Sequence, residues 1–196
     1  MNLEDQMQNM ILTIADRDGT LIEFISWLGR ESNWKEQTKL KLPVINLLKY
    51  IQKNHSNRLF VVTNQSGVAR KGFDCLRVEE INQYLNETLT RLGVVINGWN
   101  YCPNVDLDFV KLHPEINFDQ NFIKVKTNRK PSTGMVLELL KKNNLDLSFF
   151  ERALVIGDSE DDKNLAENLK GFYIDVKEKT YEQLKEEFEI FVSSRI

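Results

Sequence analysis

The sequence predicts a doubly wound α/β domain: a Rossmann-like parallel sheet with helices on both faces. Short apolar runs, the mark of strands buried on both faces, alternate with segments whose apolar residues recur at helical spacing. Three of these runs stop at polar or acidic residues, at Asp16-Arg17-Asp18, Thr63-Asn64-Gln65-Ser66 and Asp158-Ser159-Glu160-Asp161-Asp162. The length, 196 residues, suits one domain over 1–196, since domains average roughly 150 residues.

The elements follow in order. Met10-Ile11-Leu12-Thr13-Ile14-Ala15 is a buried strand that stops at Asp16. Pro43 suits a first helical turn, and Val44, Leu47, Leu48 and Ile51 follow at helical spacing. Leu59-Phe60-Val61-Val62 is a second strand. Residues 77–92 form a helix with Ile81, Leu85, Leu89 and Leu92 on one side and Gly93 as its stop. Residues 94–101 read as a third strand, and 133–142 as a helix facing inward through Met135, Val136, Leu139 and Leu140. Ala153-Leu154-Val155-Ile156 and 172–176 are further strands, and 180–191 a terminal helix. Two long intervals, 22–42 and 102–129, carry few helical cues. Both follow strands, so both overhang the carboxyl edge of the sheet, where such folds bind ligands.

Composition excludes several classes. Lysine and arginine number 26 against 29 acidic residues, a net charge of −3. That gives no bulk positive charge for nucleic acid. Hydrophobic residues at 41% and charged residues at 28% suit a soluble globular protein. Two cysteines, Cys75 and Cys102, fit a reducing compartment rather than a disulfide framework. The first ten residues lack a basic, then apolar, targeting pattern, and no run approaches a membrane span. The expectation is a cytoplasmic monomer or small homo-oligomer with no membrane partner.

The chemistry sits at the strand ends. Asp16, Asp18 and Asp158 would bring carboxylates together, and unit charges about 4 Å apart repel by about 4 kcal/mol at an effective dielectric near 20. Protons or a cation must neutralise them. An all-oxygen set without histidine or cysteine suits a hard ion, and Mg²⁺ keeps positions open for a phosphate oxygen.

Asp16-Arg17-Asp18-Gly19-Thr20-Leu21 resembles the nucleophile loop of the haloacid dehalogenase superfamily of phosphatases. Thr63-Asn64-Gln65-Ser66-Gly67-Val68-Ala69-Arg70, Arg129-Lys130-Pro131 and Gly157-Asp158 with Asp161 and Asp162 resemble its later motifs. They stand in the order of the branch that holds heptose-bisphosphate and histidinol-phosphate phosphatases. The resemblance implies loop insertions rather than a large cap domain.

It also implies roles. Asp16 is the nucleophile that forms an aspartyl-phosphate. Asp18 is the general acid and then base, and lends its backbone carbonyl to the metal. Asp158 completes the Mg²⁺ site with Asp16. Thr63 and Asn64 bond phosphate oxygens, and Lys130 balances charge on the transferring group. Arg70 and Arg129 contact substrate. Asp162 is a supporting acid, with Asp161 left open between a site residue and a residue of a helix first turn.

Three departures from the branch stand out. Its zinc loop keeps Cys102-Pro103 here, but Asn104, Lys126 and Asn128 replace the other ligands, so no structural zinc is expected. Phe109, Phe118 and Phe122 are expected to hold that loop by packing. Arg70-Lys71-Gly72 replaces a usual Arg-Gly, and Ser159 replaces a usual lysine. Trp27, Arg30, Trp34 and Lys35 are expected over the pocket.

These residues imply a Mg²⁺-dependent phosphomonoesterase acting on a small phosphorylated metabolite, in particular a sugar bisphosphate such as a heptose bisphosphate. A polynucleotide 3′-phosphatase and a histidinol-phosphate phosphatase are alternatives within the class; a catalytically silent binding module is the alternative outside it.

Overall fold

A computed structural model describes residues 10–194. Most of the amino-terminal segment read for a targeting pattern, residues 1–9, lies outside the described residues. In chain order the elements are β1 (Ile11–Ala15), α1 (Trp34–Gln37), α2 (Leu42–Asn54), β2 (Asn57–Asn64), α3 (Ser66–Ala69), α4 (Cys75–Arg91) and β3 (Gly98–Cys102). Then follow β4 (Val105–Asp106), α5 (Leu107–Leu112), β5 (Ile123–Lys124), α6 (Gly134–Lys142), β6 (Arg152–Gly157), α7 (Glu160–Asn168), β7 (Phe172–Asp175) and α8 (Tyr181–Ser193). No helix among the described residues is long and apolar enough to cross a membrane.

The main sheet runs β3-β2-β1-β6-β7, all parallel. Alternate side chains along each strand go to opposite faces. Ile11, Ala15, Leu59, Val61, Leu154 and Ile156 meet Leu47, Leu48, Ile51, Leu184 and Phe188 of α2 and α8. Leu12, Ile14, Phe60, Val62 and Val155 meet Val136, Leu139, Leu165 and Ala166 of α6 and α7. Each fully buried chain of this kind contributes about 1.5–3 kcal/mol, so both layers are needed. The register sets Ala15 beside Val61 and Ile156. The residues that follow these three therefore leave the sheet along one edge.

The third strand is shorter than the expected 94–101. Gly93 takes φ +84 and ends the helical segment. The Val95 peptide then pairs with a side chain instead of a strand: its N–H donates to Gln52 Oε1 at 3.0 Å, and its carbonyl accepts from Gln52 Nε2 at 2.6 Å. Regular pairing with β2 begins only at Gly98. On α4, Val78 takes the inner face with Ile81, Leu85 and Leu89, while Leu92 lies beyond the helix and is exposed.

Neither long interval is irregular throughout. Residues 102–129 contain β4 and β5, paired in parallel, with α5 between them. Asp106 caps α5 by accepting from Phe109 N at 2.8 Å. Val105 and Phe118 are buried here against Ala69, with Phe109 and Phe122 packed on them. In the first interval, Ile22 bridges Leu40, and the strap between them folds back onto α4. Leu28 and Trp34 pack there against Ile81 and Leu85.

Candidate active site

Asp16 follows directly on β1, and its N–H donates to Ile156 O at 3.0 Å. Leu21 N and Ile22 N both bond back to Arg17 O, which curls the chain into a tight loop. Gly19 sits at φ +86, a left-handed conformation that favours glycine, and a Cβ there would collide with the Asp158 carboxylate. Lys41 steadies this loop from below by donating to Gly19 O at 2.9 Å.

The edge gathers charge in a dry place. Asp16, Asp162 and Lys130 are all buried. The Lys130 ammonium donates to Asp16 Oδ1 and, at 2.6 Å, to Asp162 Oδ1. Burial pushes the Asp16 carboxyl from an ordinary 3.8 up to about 7; Lys130 pulls the other way, and Asp162 and Asp18 add to the rise. Burial works against charge on Lys130 too, but Asp16 and Asp162 together hold its ammonium above the usual range. Burial, then Asp162, also raises Asp158.

Asp16, Asp158 and Asp162 each place an oxygen within 4.8 Å of the others. Asp162 has little left to give a cation. Its Oδ1 accepts from Lys130 and its Oδ2 from Ser159 N at 3.1 Å, closing the capping box of α7. Ser159, where a lysine was the expectation of the branch, is that cap. Asp16 and Asp158 remain as carboxylates able to meet a hard ion. The Asp18 side chain is outside the cluster and is held elsewhere: Gln65 Nε2 donates to its Oδ2 at 2.7 Å and Arg17 Nη2 at 2.8 Å.

Thr63 is buried at the end of β2, with its hydroxyl 3.4 Å from Asp18 Oδ2. Asn64 departs from its expected use. Its Oδ1 accepts from Lys130 N at 2.9 Å, and its Nδ2 donates to Lys130 O at 3.2 Å and Asp161 Oδ2 at 3.0 Å. The amide clamps the peptide of Lys130 and is not free for a phosphate. Asp161 stands 3.7 Å from Arg129, so its side chain belongs to the pocket.

An open pocket of about 350 Å³ lies above these groups. Arg70 and Arg129 line it, and the guanidinium carbons stand 5.2 and 4.8 Å from the Phe109 ring centre. Arg70 Nε and Arg129 Nη1 are buried and have no acceptor among the described residues. Phe24, Trp27 and Phe73 line the pocket as well. Trp27 holds φ +64, with its ring across Gly72. Lys71, the departure from the usual Arg-Gly, takes φ +59 beside it.

Three expected pocket residues are not there. Trp34 is buried at 5% exposure, edge-on to Tyr84 at 5.5 Å. Lys35 lies over both rings, and Arg30 is exposed outside the pocket. An indole gains more by covering apolar area than by standing in water, and α4 offers that cover. Gln65, Asn82 and Lys41 contribute to the site without a role expected from the motifs, and Phe109, expected only to pack the loop, also carries the two guanidiniums. Asn82 did carry a signal, a polar residue beside Ile81 on the helix's inner face.

The zinc-loop positions do not fit zinc. Burial raises the Cys102 thiol, which donates to Asn104 O at 3.6 Å. Asn128 is bonded to Glu138, and His113 stacks on Phe109 at 4.7 Å. Purified protein is expected to carry no stoichiometric zinc by elemental analysis. One zinc per chain would contradict this reading of the loop.

Comparison with known proteins agrees with the motifs. The family model described as polynucleotide kinase 3 phosphatase matches residues 12–192. The D-glycero-beta-D-manno-heptose-1,7-bisphosphate 7-phosphatase of Rhodopseudomonas palustris is 29% identical over 153 residues, 77% of this chain and 74% of that protein. The enzyme of the same name from Helicobacter pylori J99 is 28% identical over 79% of this chain and 76% of its own length. A crystal structure of D,D-heptose 1,7-bisphosphate phosphatase from B. bronchiseptica, complexed with magnesium and phosphate, superposes with a TM-score of 0.61 at 22% identity. It covers 83% of this chain and 78% of that one, and shows the fold.

Proposed function

The chain belongs to the polynucleotide kinase 3 phosphatase family, and from that premise we propose a Mg²⁺-dependent phosphomonoesterase that acts on a bisphosphorylated sugar through an aspartyl-phosphate. The carrying observation is the buried Asp16 carboxylate between the Lys130 ammonium and Asp158 at the sheet edge.

In this reading Asp16 attacks phosphorus, and the bond from phosphorus to the ester oxygen breaks. Asp18 gives that oxygen a proton, and the sugar alcohol leaves. A water molecule then attacks the aspartyl-phosphate, Asp18 takes its proton, and phosphate departs from a regenerated Asp16. Lys130 offsets negative charge on the transferring group. Asp16, Asp158 and the backbone carbonyl of Asp18 would hold Mg²⁺, which supplies charge neutralisation at the phosphoryl oxygens. A cation at this cluster also opposes the burial that favours a proton on Asp16.

Arg70 and Arg129 offer a place for a second anionic group. Arg129 has Asp161 at 3.7 Å, and both Arg70 and Arg129 keep a buried nitrogen with no acceptor among the described residues. Both side chains line the pocket, where a second phosphate on the substrate would meet their charge. The names of the relatives point to the same class.

Phosphate release should be measured over a panel: heptose 1,7-bisphosphate, hexose phosphates, histidinol phosphate, p-nitrophenyl phosphate and a 3′-phosphorylated oligonucleotide. Activity is expected to vanish with EDTA and return with Mg²⁺. The bisphosphate is expected to lead in kcat/KM, and Arg129→Ala to narrow its lead over the aryl ester. Full activity in chelator would sink the metal assignment. A best rate with the oligonucleotide would replace the sugar by a nucleic-acid end, with Phe24 and Trp27 as stacking faces.

A further inference from the structure

Arg17 is a charged side chain at 1% exposure, and the chemistry above makes no use of it. A buried guanidinium needs partners. Its Nη2 donates to Asp18 Oδ2 at 2.8 Å, and its Nε lies 3.1 and 3.2 Å from Oδ1 and Oδ2. Its Nη1 donates to Asn82 Oδ1 at 2.9 Å. Asn82 is itself 7% exposed, on the inner face of α4. A bridge thus runs from the middle of α4, through a planar fork, to the carboxylate that serves as acid and base.

The two oxygens of Asp18 are not equivalent. Oδ2 accepts from Arg17 Nη2, from Gln65 at 2.7 Å and from the Thr63 hydroxyl at 3.4 Å. Oδ1 accepts from Arg17 Nε alone among the described residues, at 3.1 Å. An arginine has donors and no acceptor, so it anchors a carboxylate without taking its proton. We infer that Arg17 and Asn82 are positioning residues: Asn82 fixes the fork, the fork pins Oδ2, and Oδ1 is left as the oxygen that carries the proton to the leaving group. This rests on the proposed acid–base role of Asp18.

The test is leaving-group dependence. Departure of a sugar alcohol needs a proton, whereas 2,4-dinitrophenolate leaves without one. The kcat/KM value covers steps only through release of the leaving group. It should be measured for heptose 1,7-bisphosphate and 2,4-dinitrophenyl phosphate in the wild type, Asn82→Leu, Asn82→Asp, Arg17→Lys and Asp18→Asn. The ratio of the two values is independent of the folded fraction, so partial misfolding does not mask the result.

Asn82→Leu and Arg17→Lys are expected to lower the sugar ester about tenfold or more relative to the aryl ester, the scale of a misplaced catalytic group. Asn82→Asp keeps the acceptor and should restore the wild-type ratio. An unchanged ratio in Asn82→Leu and Arg17→Lys, alongside a shifted ratio in Asp18→Asn, would overturn this inference alone. An unchanged ratio in Asp18→Asn would overturn the acid–base reading and the inference with it.

Discussion

Asp16→Asn is expected to abolish phosphate release while leaving the protein folded. The amide keeps the shape of the side chain but has no anionic oxygen to attack phosphorus, and loss of a nucleophile costs on the order of 10⁴-fold or more. Folding should tolerate the change. Burial already opposes charge on Asp16 and lifts it to about 7, so a neutral group removes an unfavourable ionisation. Lys130 retains Asp162 at 2.6 Å as its counter-ion. Asp18→Asn differs because Asp16 remains, so turnover of the sugar ester should fall by the 10²–10⁴-fold typical of a lost general acid or base. Circular dichroism and melting temperature check the fold, and phosphate release checks turnover. Equal, mild losses in both variants would contradict the division of roles.

Much of this arrangement was legible in the sequence because strand ends and motifs coincide. All five strands of the main sheet were expected, the third displaced to Gly98–Cys102, and three of them end on residues that gather at the edge. Local pattern says little about partners far away in the chain. Val95 has the apolar character of a strand residue, yet Gln52, 43 positions earlier, takes its backbone. Trp34 reads as a free aromatic until α4 is in place to bury it. Asn64 carries the motif position of a phosphate contact, but its amide matches the peptide of Lys130, 66 residues on. The two arginines on Phe109 depend on how the β4–β5 segment packs. No periodicity announces that packing.

Lys130→Met is expected to destabilise the metal-free protein more than any surface change. Lys130 is 3% exposed, and its ammonium joins two buried carboxylates. Removing one partner from such a buried network costs about 3–5 kcal/mol, because the remaining charges keep their desolvation penalty without compensation. The sign of the pH dependence follows. Asp16 already holds its proton more tightly when folded, about 7 against 3.8, so the native state binds more protons than the unfolded chain in that window. Its contribution to stability therefore falls as pH rises through the window. Without Lys130, which pulls Asp16 down, Asp16 holds its proton still more tightly and that fall continues to higher pH, so the variant should melt closest to wild type near pH 4 and furthest from it above pH 7. Mg²⁺ should recover part of the loss above pH 7, since a cation at Asp16 and Asp158 neutralises one of the stranded charges. Melting curves in EDTA and in Mg²⁺, at both ends of the window, separate these effects. A deficit of equal size in chelator and in Mg²⁺ would mean that the metal and Lys130 do not share Asp16.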